Sequence, residues 1–187
     1  MSHEVSFFEM KGPLGELADQ CSPENGGRER FDEFKLWLKK VSTRFFVHLR
    51  TVRISAQSAV ITSEEYFTEA GVKWMGNNFK SQFLGLKVGA TSDAELNVHK
   101  LTVASRDIPI LAELDDKAEI FVSRFKAFLA ENRNSSEWFI FYLRGKDNNL
   151  WAVFADWNSI YRGWGVDAYS VTDRHRWRDG RQVVSQV

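Results

Sequence analysis

The sequence predicts an α+β fold. Its C-terminal half, about 137–171, reads as an antiparallel β-meander, with helices from the N-terminal two thirds packed on one face. Three observations carry this expectation. Apolar residues spaced three and four apart recur before residue 133. The stretch 137–171 instead alternates large aromatic and β-branched residues, and the joints between its runs are rich in Gly, Asp and Asn. At 187 residues the chain has the length of one domain, 1–187, and 43% hydrophobic side chains suffice for a core.

Taken in order, residues 5–10 read as a short strand. Residues 11–30, "KGPLGELADQCSPENGGRER", hold four of the twelve glycines and two of the three prolines, which predicts a flexible loop or lead-in. Phe31, Phe34, Leu38, Val41 and Phe45 then form one face of an amphipathic helix, with Lys35, Lys39, Lys40 and Arg44 mostly off that face. The helix yields near 42–44 to the β-branched and aromatic run "RFFVHLRTVRI". In "TSEEYFTEAG" (62–71), Thr62 or Ser63 supplies an N-cap, glutamates follow, and Gly71 supplies the stop. "SQFLGLKV" (81–88) and "ELNVHKLTV" (95–103) alternate like strands. "SRDIPILAEL" (105–114) opens a helix in which Pro109 is tolerated in the first turn. "SRFKAFLAEN" (123–132) is another helix, burying Phe125, Phe128 and Leu129.

The next segment gives the firmest pattern. "EWFIFYLR" and "LWAVFADW" flank the turn "GKDNN", and "GWGVDAYSV" adds a third strand. Trp138, Ile140 and Tyr142 point one way while Phe139, Phe141 and Leu143 point the other. Both faces are apolar, so this strand is expected in the middle of a sheet covered on both sides.

Charge and composition narrow the chemistry. Lys plus Arg and Asp plus Glu are both 25, so no overall field draws the molecule to nucleic acid or a membrane. Locally the charges segregate: six basic residues and no acid between Lys35 and Arg53, five acids and one lysine between Asp107 and Glu119. Cys21 is the only cysteine, which excludes an internal disulfide and a Cys-rich zinc site. His3, His48, His99 and His175 show no metal-ligand spacing, so no metal or other cofactor is expected. The N-terminus lacks a basic-then-apolar leader and no run is long enough to span a bilayer, so a cytoplasmic protein without a membrane partner is expected.

Signatures of catalysis are missing. There is no nucleophile elbow, no phosphate-binding glycine loop, and Cys21 sits in a Gly/Pro-rich stretch without an activating neighbour. Asp156 and Asp167, on adjacent expected strands near aromatic rings, are the one carboxylate pair a hydrolase would use. The most specific feature is aromatic and basic. Trp157, Tyr161, Arg162, Trp164, Arg174, Arg176, Trp177, Arg178 and Arg181 gather near the C-terminus, and arginine both forks onto oxyanions and stacks on rings. If 174–181 is a strand, Arg174, Arg176 and Arg178 share a face opposite Trp177. If it is a helix, Arg174, Arg178 and Arg181 align. The sequence thus favours a small non-catalytic binding protein whose C-terminal surface docks an acidic partner, in the first place another protein, with Lys35, Lys39, Lys40 and Arg44 as a secondary basic patch. A nucleic-acid-binding role for the same residues is the alternative, and a hydrolase built on Asp156 and Asp167 a further one.

Overall fold

The computed structural model describes residues 45–133 and 135–187. The expected strand at 5–10, the lead-in at 11–30, and the helix from Phe31 with its patch Lys35, Lys39, Lys40 and Arg44 lie outside the described residues.

Among the described residues the fold mixes α and β, with more strand than helix. A seven-stranded sheet is built from β1 (Phe46–Ile54), β3 (Val72–Met75), β5 (Ala94–Leu101), β6 (Trp138–Arg144), β7 (Leu150–Asn158), β8 (Gly163–Ser170) and β9 (Gln182–Gln186), and β2 (Val60–Ile61) pairs with β4 (Lys87–Val88) in a small second sheet. Four helices accompany them: α1 (Glu64–Thr68), α2 (Asn77–Phe83), α3 (Asp107–Leu114) and α4 (Val122–Glu131). The strand order is β1-β5-β9-β6-β7-β8-β3, so β6 lies in the middle, where a strand apolar on both sides belongs.

The local signals explain most elements. Ser63 caps α1 by accepting the amide of Tyr66 at 3.1 Å, and Gly71 follows with φ +94°, a left-handed conformation suited to glycine. Pro109 sits at the third residue of α3, where its missing N–H breaks no helical bond. Phe125, Phe128 and Leu129 are all fully buried on α4.

Three expectations need correction. The sheet is not wholly antiparallel: β6–β7 and β7–β8 pair antiparallel, but β6 pairs parallel with β9, and β8 parallel with β3. The run 81–88 is not one strand. Ser81–Phe83 closes α2, because Phe79 and Phe83, four residues apart, bury one helical face, and only Lys87–Val88 is extended. Finally, the helices do not gather on one face. Phe67 of α1, Phe79 and Phe83 of α2, and Phe125 and Phe128 of α4 share one core with Phe139, Phe141 and Trp164 of the sheet, whereas Ile110 and Leu114 of α3 pack with Ile140, Tyr142 and Phe154 on the opposite side. A central strand that is apolar on both sides requires a cover on both sides.

The phenylalanine-rich face packs by edge-to-face contacts. Phe125 meets Phe141 at 4.9 Å and Phe128 meets Phe139 at 5.0 Å, at interplanar angles of 79° and 73°. The opposite face is covered by α3 at one end and by the C-terminal segment 171–181 at the other. That segment is neither helix nor strand. Trp177 exchanges two backbone hydrogen bonds with Ser105, and Gly180 turns the chain at φ +83° into β9.

Candidate binding site

The site is built by the alternation of three neighbouring strands. Trp138, Phe154 and Tyr169 occupy diagonal positions on β6, β7 and β8: Phe154 lies opposite Ile140, two residues on from Trp138, and opposite Asp167, two residues before Tyr169. Diagonal neighbours lie within reach of large rings. Here they stack, Trp138 on Phe154 at 5.5 Å and 10°, and Phe154 on Tyr169 at 5.7 Å and 21°. The C-terminal segment extends the row. His175 stacks on Tyr169 at 4.6 Å and 12°, and Trp177 stands edge-on to His175 at 4.4 Å.

Trp177 is held by a buried carboxylate. Asp107, at the start of α3, is fully buried, and its Oδ1 accepts the indole N–H of Trp177 at 2.7 Å and the hydroxyl of Tyr142 at 2.8 Å. Its Oδ2 has no hydrogen-bond partner. Burial raises the Asp107 pKa above the ordinary carboxylate value, and the bonds from Trp177 and Tyr142 pull against that rise. Tyr142, buried beside this carboxylate, is held well above the usual phenol value.

Arginines rim the aromatic floor. Arg176 is anchored, its Nε and Nη2 donating to the carbonyl of Ala104 at 3.2 and 3.0 Å. Arg181 lies over the Trp138 ring, with Cζ 3.9 Å from the centroid. Its pKa is lowered, first by burial and next by repulsion from Arg178, while Asp156 and Glu137 oppose the shift. Arg178 is exposed. Together these side chains enclose a cavity of about 380 Å³ with no carboxylate in its lining.

The aromatic–arginine group expected from sequence therefore divides. Arg176, Trp177, Arg178 and Arg181 come together around the cavity, and Arg174 is exposed on the same segment without lining it. Trp164 is instead fully buried in the opposite core, its indole donating to the Leu129 carbonyl at 2.9 Å, with Trp157 edge-on to it at 5.2 Å. Odd positions of β7 and even positions of β8 face that core, so these tryptophans could not join the arginines. Tyr161 and Arg162 are exposed in the turn between β7 and β8. Asn158 organises that turn by accepting the amides of Ile160 and Tyr161, and Arg162 adopts φ +49°.

The two carboxylates of the hydrolase reading have different surroundings. Asp167 Oδ1 accepts the amides of Phe79 at 3.2 Å and Ala168 at 2.8 Å, so it caps the first turn of α2. Asp156 is partly buried, its pKa raised by that burial and pulled back by Arg181. Reasoning from sequence missed Trp138, Phe154, Tyr169, His175 and Asp107 as parts of the site. The signal for the first three was the strand alternation itself, which sets 138, 154 and 169 on one face. In the sequence Asp107 stands out only as one of the five acids between Asp107 and Glu119 and as a residue near the start of a helix.

Among the described residues no group of three or more His, Cys, Asp or Glu side chains is placed to hold a metal ion, and no helix is long and apolar enough to cross a membrane. The chain matches no protein family, no curated protein and no solved structure.

Proposed function

We propose that the protein is a non-catalytic binding module that docks an acidic group of another protein into the aromatic–arginine cavity. One observation carries this reading. Three guanidinium groups surround a single cavity whose lining contains no carboxylate, while Trp177, one of its two tryptophans, is turned inward and fixed by Asp107. A rim of arginine charge on low-dielectric aromatic walls attracts an anion more strongly than the same charge in open water. Rigid rings supply contact area at small entropic cost, and arginine forks supply orientation and on-rate. Asp167, engaged by two backbone amides, lends the hydrolase reading little support. A reducing, cytoplasmic setting suits a binding module whose only cysteine is Cys21.

The test is fluorescence anisotropy of a labelled glutamate-rich peptide at low salt, run beside random-sequence RNA and DNA. The peptide is expected to bind, and R174A/R178A is expected to weaken it by roughly tenfold or more, the scale of lost hydrogen bonds to charged groups. Arg176 is left intact because it holds the Ala104 carbonyl. Peptide binding that ignores the double substitution, or nucleic acid binding more tightly with a steep fall in salt, contradicts the reading.

A further inference from the structure

Building on the reading of this cavity as a receptor for an acidic group, we infer that the group is an aryl phosphate, the phosphorylated tyrosine side chain of a partner protein. Charge, donor geometry and cavity size point the same way. Arg176, Arg178 and Arg181 bring a formal charge of three to the cavity; Asp156 and Glu137 act on Arg181 from outside its lining, but none of the three arginines is in a direct ion pair among the described residues. A carboxylate would neutralise one of these charges. A phosphate monoester carries about −1.5 to −2 at neutral pH and three terminal oxygens, which suits several guanidinium forks at once.

The donors are available in part. Arg176 commits Nε and Nη2 to Ala104, leaving Nη1, whereas Arg178 and Arg181 make no side-chain hydrogen bond among the described residues. The volume of about 380 Å³ falls within the range of small-ligand sites, roughly 300–1,000 Å³, which leaves room for a group larger than the anion alone. The walls say what that group is. Tyr169 and His175, stacked on each other and half-buried, present flat ring edges and apolar surface beside the buried Trp177, against which one more flat ring can pack. A ring bonded directly to its phosphate through one oxygen places both parts in one cavity, the ring among the aromatics and the oxygens at the rim.

Isothermal titration of the full chain with phenyl phosphate tests this, with benzoate, inorganic phosphate and adenosine monophosphate as comparators. Phenyl phosphate is expected to bind at least about tenfold more tightly than benzoate or inorganic phosphate. Arg178 is exposed and unpaired, so R178A is expected to fold normally and to weaken phenyl phosphate by roughly tenfold or more. R178K keeps the charge but loses the fork, and is expected to recover only part of that affinity. Benzoate matching phenyl phosphate removes the phosphate assignment, and inorganic phosphate matching it removes the ring. Tighter adenosine monophosphate reassigns the cavity to nucleotides, and R178A without effect places the ligand elsewhere. Should phenyl phosphate fail while the glutamate-rich peptide still binds through Arg174 and Arg178, this inference falls and the acidic-partner reading stands.

Discussion

The two faces of the central sheet are made by the same strands and are built on opposite terms. On one, Phe125 and Phe128 of α4 close edge-to-face over Phe139 and Phe141, phenylalanines of α1 and α2 complete the same core, and the buried Trp164 indole N–H is satisfied by a backbone carbonyl. On the other, Tyr142 and Trp177 share a buried carboxylate, His175 lies on Tyr169, and Arg181 lies on Trp138. Alternation along β6, β7 and β8 sends neighbouring residues to opposite sides. Phe139 and Trp138 are therefore adjacent in sequence, yet one holds the fold together and the other borders the cavity. Burial of apolar rings without heteroatoms gives stability with little chemistry, whereas rings with N–H and O–H groups, held by buried partners, give a shaped and charged surface.

That contrast is easiest to break at the phenylalanine face. F125A removes a fully buried ring that meets Phe141, Phe79 and Phe67, and is expected to cost about 3–5 kcal/mol in urea unfolding. A loss under about 1 kcal/mol would mean that this face does not carry the stability assigned to it. Next in size is D107A, which leaves the Tyr142 hydroxyl and the Trp177 indole without their buried acceptor and is expected to cost about 2–4 kcal/mol. D107N keeps an acceptor for both groups and is expected to cost well under half as much. Equal losses for the two variants would show that the carboxylate's charge, and not its acceptor geometry, is what matters there.

A smaller effect is expected from pH. Burial pushes Glu113, on α3, up to about 7, and raises Asp107 as well. In the unfolded chain both titrate near the ordinary carboxylate value, about 4. The folded state keeps these protons to higher pH than the unfolded state, so the stability they contribute is full below about pH 4 and is lost as pH rises towards 7. The stability of the wild type minus that of E113Q should therefore decline between pH 4.5 and 7 and level off above, read from urea midpoints. A flat difference would remove the burial assigned to Glu113. Smallest of all, R178A should change stability by no more than about 0.5 kcal/mol, as expected for an exposed, unpaired side chain.

How much of this was legible beforehand depends on the kind of signal. Ser63, Gly71 and Pro109 mark helix ends by local chemistry, and the two apolar sides of 138–143 place β6 centrally, so those elements could be read directly. β9 could not. Its run "QVVSQ" is short, and its partners, β5 and β6, are set by contacts more than 35 residues away in sequence. Helical closure at Ser81–Phe83 was hidden because the same apolar spacing fits a strand until Phe79 is counted with Phe83. At the site, the arginines and Trp177 were visible as composition. The cavity was not, since its floor comes from three strands and its anchor, Asp107, lies 70 residues from the indole it holds.

The most direct test of the proposed binding face is the set of tryptophan indole N–H resonances, recorded while the glutamate-rich peptide is titrated into the labelled full chain. The signals of Trp138 and Trp177 should shift together, with those of Trp164 and Trp151 unmoved, since one is locked to Leu129 in the opposite core and the other is hydrogen-bonded to Asp147. Shifts at Trp164 or Trp151 with Trp138 and Trp177 silent would contradict the assignment of binding to the arginine-rimmed face.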